Sequence, residues 1–165
     1  MVSTISHTKE SIFSLLSTIV DPEIPVVSIE EMGMLRDVNI TNHSCEVIIT
    51  PTYTGCPAMG IIEDDIMALL QQNGIENPSV KLVYSPAWTT DWMTEATKEK
   101  LRKFGIAAPI HSSCANWLKP TNVSVKCPKC HSENTKVISQ FGSTACKALY
   151  SCKDCQEPFD YFKCH

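Results

Sequence analysis

The chain has 165 residues, 43% of them hydrophobic, and a formal net charge of −4 at pH 7. This length suits one ordinary domain with a small second one, since domains usually hold about 100–150 residues. The apolar runs are too short for a membrane span and residues 1–10 are too polar for a secretory signal, so we expect a cytoplasmic protein.

Charge is unevenly distributed along the chain. Residues 1–106 carry 14 acidic and 7 basic side chains, whereas residues 107–165 carry 4 acidic and 7 basic ones. A nucleic-acid-binding face would need a denser basic surface with interleaved aromatic residues. We therefore predict neither a nucleic-acid nor a membrane partner. The lysines near the C-terminal cysteines are interpreted as charges that offset an anionic metal site: Lys126, Lys129, Lys147 and Lys153.

The first half of the chain predicts a helix followed by a hairpin. Apolar residues recur at helical spacing over residues 11–20, and the helix should end before Pro22 because a residue preceding proline avoids the α region. A loop is expected through Pro25. Residues 34–41 and 45–50 then predict two antiparallel strands joined by a polar turn.

Two further helices and one strand follow. A second helix begins at Pro57 and stops at Asn73-Gly74, and residues 80–84 form a third strand. A third helix begins near Thr90, directs Met93, Ala96, Leu101 and Phe104 inward, and ends at Gly105. The order predicts an α+β class with a three-stranded sheet and helices packed on one face. We expect this domain over residues 1–106, a linker over 107–122 and a small metal-nucleated domain over 123–165.

Four cysteines near the end of the chain predict a metal site. Cys127 and Cys130 form one CxxC turn, Cys152 and Cys155 form a second one, and 21 residues lie between the two turns. Two such turns place four thiolates at the corners of a tetrahedron, which suits a closed structural Zn²⁺ site. A rubredoxin-like iron or an iron–sulfur cluster is the alternative occupant.

Cys56 is the candidate reactive thiol. Pro57 suits the first helical position, so Cys56 is predicted at the N-cap, where the helix dipole and free N–H groups would lower its pKa. Such a thiolate ligates metal or attacks an electrophile. The alternative is that Cys56 is a small apolar residue packed under the helix.

Asp21 and Glu23 form a second candidate, in a loop held by two prolines. Their carboxylates could orient a partner or a metal. The alternative is that Asp21 accepts hydrogen bonds from backbone donors in the turn after the first helix.

Two more cysteines, Cys146 and Cys164, belong to no CxxC turn. Each is either an additional metal ligand, a cluster contact or a packing residue. Reducing conditions in the cytoplasm argue against structural disulfides for the nine cysteines of the chain.

Several motifs resemble known families. Residues 21–25 (DPEIP) and 54–59 (TGCPAM) resemble the iron–sulfur assembly domain family of the MIP-eighteen type. Residues 85–93 (SPAWTTDWM), 141–147 (FGSTACK) and 157–164 (EPFDYFKC) are similar to the family of D components of bacterial phenylacetyl-CoA epoxidase systems. The resemblance covers essentially the whole chain.

This resemblance implies a role in bacterial phenylacetate degradation. The epoxidase system contains a diiron oxygenase and a reductase with an iron–sulfur cluster, and these components are the implied partners. The D component is implied to assist maturation of an iron–sulfur or iron centre, with Cys56 as the important cysteine and Asp21 to Pro25 as the acidic motif.

Three functions follow from these observations. The first is a maturation accessory that holds iron or a transient cluster at Cys56, with a homodimer supplying further ligands. The second is a non-catalytic docking component of the epoxidase complex in which the zinc ribbon organises a binding face. The third, a thiol enzyme, lacks an obvious base near Cys56.

Overall fold

Two units make up the chain, residues 1–88 and 89–165, and no described sheet is shared between them. The computed structural model describes residues 8–41, 44–109 and 124–163. No helix among them is long and apolar enough to cross a bilayer. The elements of the first unit are α1 (Lys9–Leu16), β1 (Val20–Asp21), β2 (Ile24–Ser28), β3 (Leu35–Ile40), β4 (Cys45–Ile49), α2 (Ala58–Gln72) and β5 (Pro78–Leu82).

Helix α1 begins two residues earlier than the sequence predicts because a capping box fixes its start. The Ser11 backbone N–H donates to Thr8 Oγ1 over 3.2 Å, and the Thr8 N–H donates to Ser11 Oγ over 3.0 Å. These reciprocal bonds satisfy N–H groups that lack an intrahelical acceptor. The helix buries Ile12 and Leu16 and ends at Leu16, four residues short of the predicted end.

The segment predicted as a loop through Pro25 is a small hairpin of β1 and β2. Asp21 pairs with Ile24, and Val20 pairs with Ser28. The Asp21 carboxylate Oδ1 accepts the backbone N–H groups of Glu23, over 2.7 Å, and Ile24, over 2.9 Å. This Asx turn reverses the chain. Pro25 is tolerated because a two-stranded sheet has only edge strands.

The main sheet of the first unit has the order β3-β4-β5. Strands β3 and β4 form the predicted antiparallel hairpin, whereas β5 runs parallel to β4 after the α2 crossover. Both α1 and α2 contact this sheet and each other, which confirms an α+β fold with helices on one face. Alternate residues of β4 are buried, and they share the core with the buried face of α2: Cys45, Val47, Ile49, Ile62, Ile66 and Leu70.

Within its described residues, 89–109 and 124–163, the second unit contains a four-stranded sheet and one α-helix. Its elements are a 3₁₀ helix (Thr90–Trp92), α3 (Glu95–Phe104), β6 (Ile106–Ala107), β7 (Thr135–Ser139), β8 (Lys147–Cys152) and β9 (Pro158–Phe162). The strand order is β6-β9-β8-β7, with β6 parallel to β9 and the other pairs antiparallel. Gly105 caps α3 in the left-handed region, with φ +95°, as the sequence predicts.

The inward face of α3 differs from the prediction. Met93 lies before the helix, which starts at Glu95 after the Thr94 cap. Met93 and Leu101 are buried as predicted, but Ala96 and Phe104 are exposed, and Thr97 and Lys98 are buried in their place.

The chain divides at residue 88 because β6, which follows α3 directly, pairs with β9 near the C-terminus. The predicted first domain ended at residue 106 and so included α3. Most of the predicted linker, residues 110–122, lies outside the described residues. That residues 1–106 and 123–165 are the segments that fold independently therefore stays a prediction.

The Asx turn predicts a specific difference between two substitutions at Asp21. Asp21→Ala removes the acceptor of two backbone N–H groups at a position that is only 6% exposed. It should lower the free energy of unfolding by about 1–3 kcal/mol in urea titrations followed by circular dichroism. Asp21→Asn keeps an acceptor oxygen and should cost clearly less. Equal losses for the two variants would contradict this role of the carboxylate.

Candidate thiol site and metal centre

Cys56 lies in the turn between β4 and α2. Its backbone N–H donates to the Tyr53 carbonyl over 3.3 Å, and its carbonyl accepts the Met59 N–H over 3.3 Å. Gly55 has φ +85°, a conformation that glycine adopts without strain. The Cys56 residue is half-buried and its thiol is free. The turn therefore fixes the backbone of Cys56 while leaving the thiol partly accessible.

The prediction that Cys56 caps the helix is wrong by one residue. Pro57 is the N-cap of α2, with φ −70° and ψ −21°, and no side chain caps the helix. The Cys56 N–H is already bound in the preceding turn, so Cys56 closes that turn instead of starting the helix.

The predicted lowering of the Cys56 pKa is also wrong, because its pKa is raised. Burial is the largest cause, and the negative charges of Glu23 and Asp21 add to it. Hydrogen bonds from the Ala58 backbone N–H and the Tyr53 side chain act in the opposite direction but are outweighed. The ordinary thiol pKa is already above neutrality, so Cys56 is protonated at pH 7.

The structure thus brings the two sequence candidates of the first unit together. Charges on Asp21 and Glu23 act on Cys56, although these residues precede it by more than thirty positions. Asp21 is also the Asx-turn acceptor, so its structural alternative holds at the same time. Tyr53 was missed by the sequence analysis, and its position three residues before Cys56 in a Gly-containing turn was the available signal.

The donor chemistry of this site is mixed, with one thiol and two carboxylates. A bound divalent cation would favour the thiolate and relieve the repulsion that raises its pKa. Within the described residues, however, the compact group of three or more metal-ligating side chains is elsewhere. Cys56, Asp21 and Glu23 do not form a complete set of ligands by themselves.

The compact group is formed by Cys127, Cys130, Cys152 and Cys155. Their Sγ atoms all lie within 4.8 Å of one another. The closest cross-turn pairs are Cys127–Cys155 at 3.8 Å and Cys130–Cys152 at 3.5 Å. Sulfurs bound about 2.3 Å from a tetrahedral ion would be separated by about 3.8 Å, so the four thiols fit such an ion.

The two CxxC turns have the same backbone construction. The Cys127 N–H donates to the Ser132 carbonyl and the Cys152 N–H donates to the Glu157 carbonyl, each over 2.9 Å. In both turns the residue after the second cysteine is left-handed, with φ +62° at His131 and +63° at Gln156. Glycine commonly occupies left-handed positions. Because histidine and glutamine stand there instead, the common backbone of the two turns could not be recognised from the sequence.

Backbone N–H donors lower the pKa of these cysteines, whereas the neighbouring thiols lower it at Cys152 and raise it at Cys130. The N–H groups of Cys155 and Asp154 lower the pKa of Cys152 to about 7, with a further contribution from Cys130. At Cys130, which is exposed, the Ser132 N–H lowers the pKa, but desolvation and the neighbouring thiols outweigh it and raise the pKa to about 12. Four thiolates cannot coexist at this spacing without a cation between them.

Polar contacts hold the two turns against each other. The Asp154 carboxylate accepts hydrogen bonds from Ser132 Oγ and from Asn134 Nδ2, the latter over 2.7 Å. Lys129 Nζ forms an ion pair with Glu157 over 2.8 Å. This contact is the main cause of the raised pKa of Lys129, and the negative charges of Cys155 and Cys127 raise it further. The site is built on the core of the second unit, which includes Cys127, Cys152, Tyr150, Phe159 and Tyr161.

Cys146 lies away from this centre. Cys146 precedes β8 and Cys152 ends it, so about 16–20 Å of strand separates the two residues. Cys146 is 3% exposed and its Sγ lies 3.0 Å from Thr144 Oγ1, which favours packing over metal ligation. Lys147 was predicted to flank the metal site, but it lies at the start of β8, beside Cys146 and at the opposite end of the strand from Cys152. Cys164 lies outside the described residues.

The raised pKa of Cys56 yields a prediction for Glu23→Gln. Removing this carboxylate charge should lower the Cys56 pKa and speed alkylation by iodoacetamide at pH 8, measured on the Cys56 peptide by mass spectrometry. In the unsubstituted chain the rate should keep rising as the pH passes the ordinary thiol value of 9.0. The matched control Glu76→Gln, on an exposed loop after α2, should leave the rate unchanged. A rate that does not respond to Glu23→Gln would contradict the electrostatic coupling.

Comparison with known proteins gives two family matches, one for each part of the chain. The model described as "Iron-sulfur cluster assembly protein" matches residues 9–81, and the model described as "PaaD zinc beta ribbon domain" matches residues 113–163. The first match contains Asp21, Glu23 and Cys56, and the second contains the four-cysteine centre.

Individual relatives agree with these matches. A protein of Escherichia coli (strain K12), named provisionally as the D component of 1,2-phenylacetyl-CoA epoxidase, is 50% identical over 93% of this chain and 91% of its own length. An "Fe-S protein maturation auxiliary factor" of Porphyromonas gingivalis is 34% identical over 54% of this chain and 86% of its own length.

A solved structure supports the fold. The crystal structure of a "Domain of Unknown Function DUF59" from Bacillus anthracis matches with a TM-score of 0.53 and 28% identity, over 56% of this chain and 90% of that one. Together with the full-length similarity to the Escherichia coli protein, these matches show that the chain belongs to the PaaD family.

Proposed function

We propose that this chain is an accessory protein of a bacterial phenylacetyl-CoA epoxidase system, and that it assists assembly of an iron–sulfur or iron centre through Cys56. The name of the Escherichia coli relative supports the system, and the names of the shorter relatives support the maturation role. Those shorter relatives are auxiliary factors, in agreement with an accessory and not a catalytic protein. The proposed location is the cytoplasm.

The observation that carries this proposal is the mixed and incomplete donor set at Cys56. A half-buried thiol lies within the electrostatic reach of two carboxylates, but the three groups do not form a compact ligand cluster. Iron or a nascent cluster held here would be completed by water or by a second copy of this chain until a second protein supplies further ligands. Sharing of ligands suits a carrier that passes its cargo on, since the same contacts that complete the site bring the recipient into place.

The second protein is proposed to be a component of the epoxidase, either the oxygenase or the iron–sulfur reductase. A second copy of this chain is the other source of ligands, since two Cys56 thiolates would supply half of a four-sulfur set. Ligands from an epoxidase component would give a heterocomplex, whereas ligands from a second copy would give a homodimer. The mass of the metal-loaded complex distinguishes the two.

The four-cysteine centre is proposed to hold Zn²⁺ in a structural role. Four sulfurs leave no open position for a substrate, and the family match to a zinc ribbon supports zinc over iron. Its function would be to stabilise the second unit, because metal binding to such small domains supplies much of their folding free energy.

The first experiment compares the metal content of the unsubstituted chain and Cys56→Ser after anaerobic reconstitution with Fe²⁺ and sulfide. We expect iron and acid-labile sulfide in the unsubstituted chain only, with about one zinc per chain in both proteins. Cys45→Ser is a matched control, because Cys45 is a buried thiol at the start of β4. If the unsubstituted chain binds no iron under these conditions, the proposed role of Cys56 is wrong.

A second experiment tests the structural role of the metal. Cys127→Ser removes a fully buried ligand and should release the zinc and abolish hydrogen-exchange protection in β7, β8 and β9. Residues of β3, β4 and α2 should stay protected, since their core lies in the first unit. Cys146→Ser, a buried thiol outside the centre, should keep the zinc. Stoichiometric zinc in Cys127→Ser would overturn the four-cysteine assignment.

The Asx turn favours one alternative function, a docking component that binds no cluster. Asp21 Oδ1 is engaged by two backbone N–H groups, so the acidic motif has a structural purpose without any metal. Under this alternative, Cys56→Ser would support epoxidation as well as the unsubstituted chain does, and the complex would form normally.

A further inference from the structure

The outer face of α2 has a composition that the fold does not require. We define this face as Pro57, Gly60, Ile61, Asp64 and Asp65, all of which are exposed. It begins next to Cys56 and continues for two turns along the helix. The opposite face, with Ile62 and Ile66 fully buried, holds the helix on the sheet.

Gly60 is the most informative residue of this face. It lies inside a helix of 15 residues, where glycine is less favourable than alanine. A Cβ atom at this position would meet no atom within 4 Å, so nothing in the chain excludes a larger residue. A glycine here leaves the helix backbone open to close approach from outside.

Its neighbours supply both apolar and charged contacts. Ile61 is 54% exposed and supplies an apolar side chain beside Gly60 and the two aspartates. Asp64 and Asp65 form no ion pair with any described residue. Residues 1–88 as a whole carry 11 acidic and 3 basic side chains, so this unit has a strong negative field. The complementary surface is therefore basic, with an apolar centre.

We infer that the outer face of α2 is the docking surface for a basic, partly apolar surface of the epoxidase component that receives the cargo of Cys56. This inference rests on the proposed function for the identity of the recipient. Ile61 would be covered at the centre of the contact, Asp64 and Asp65 would pair with lysine or arginine, and Gly60 would allow the recipient to approach the helix beside Cys56.

Binding of the full chain to the purified oxygenase and reductase components from the same organism tests the inference. The double variant Asp64→Lys/Asp65→Lys should weaken binding to one component at least about tenfold at 50 mM salt, and binding of the unsubstituted chain should weaken as salt rises. The matched control Glu30→Lys/Glu76→Lys makes the same change in net charge at exposed sites off this face. It should change the affinity less than about twofold.

A second pair of variants tests close approach at Gly60. Gly60→Gln adds bulk on the outer face and should weaken binding at least about tenfold, while its better helix propensity keeps the melting temperature at or above that of the unsubstituted chain. Ala68→Gln adds similar bulk at an exposed position two turns further along α2 and should leave the affinity unchanged. Equal effects of test and control variants, or no binding of either component, would overturn the inference.

Metal analysis separates this inference from the proposed function. The Asp64→Lys/Asp65→Lys chain should still bind iron after reconstitution, and Cys56→Ser should still bind the recipient. If the unsubstituted chain binds the recipient but no iron, the cargo role is refuted and the docking surface is not. If the chain binds iron but the α2 variants bind the recipient as tightly as the unsubstituted chain does, the docking surface is refuted and the cargo role is not.

Discussion

The candidate site of the first unit depends on the position of one carboxylate, that of Asp21. This carboxylate accepts hydrogen bonds from the backbone N–H groups of Glu23 and Ile24, and so it reverses the chain between β1 and β2. That reversal brings Glu23 and Asp21 within the electrostatic reach of Cys56. The same carboxylate therefore serves the fold and the charge of the site. Asp21→Ala would remove both the acceptor of the turn and the charge, whereas Asp21→Asn would remove the charge and keep an acceptor oxygen for the turn.

The two units differ in what would ionise their thiols. In the second unit, backbone N–H groups donate to the sulfurs of Cys130, Cys152 and Cys155, but among these three only the pKa of Cys152 is lowered, so ionisation of the full set requires the cation. In the first unit, burial and two carboxylates keep Cys56 protonated. Permanent and transient binding have different requirements: a structural ion needs thiolates that stay ionised, whereas a carrier needs a ligand that regains its proton when the cargo leaves.

Local patterns in the sequence predicted what depends on local geometry. The spacing of the four cysteines indicated the metal centre, since each CxxC turn holds its own pair and the hairpin of β8 and β9 needs few distant contacts. The period of Ile62, Ile66 and Leu70 likewise predicted α2. The displaced cap of α2 and the early start of α1 are small local errors, whereas the larger errors concern distant contacts. The grouping of α3 depends on the pairing of β6 with β9, and the pKa of Cys56 depends on a hairpin more than thirty residues away.

A protonated thiol also explains why the incomplete donor set need not be a weakness of the site. Each unit by which a thiol pKa exceeds the working pH lowers the apparent affinity for a metal about tenfold, because the proton competes for the sulfur. Cys56 alone would therefore release its cargo readily. A recipient that supplies a basic side chain near Asp21 and Glu23 would offset their charges, lower the Cys56 pKa and strengthen binding while the complex lasts. Departure of the recipient would reverse this change, so docking and metal affinity would rise and fall together.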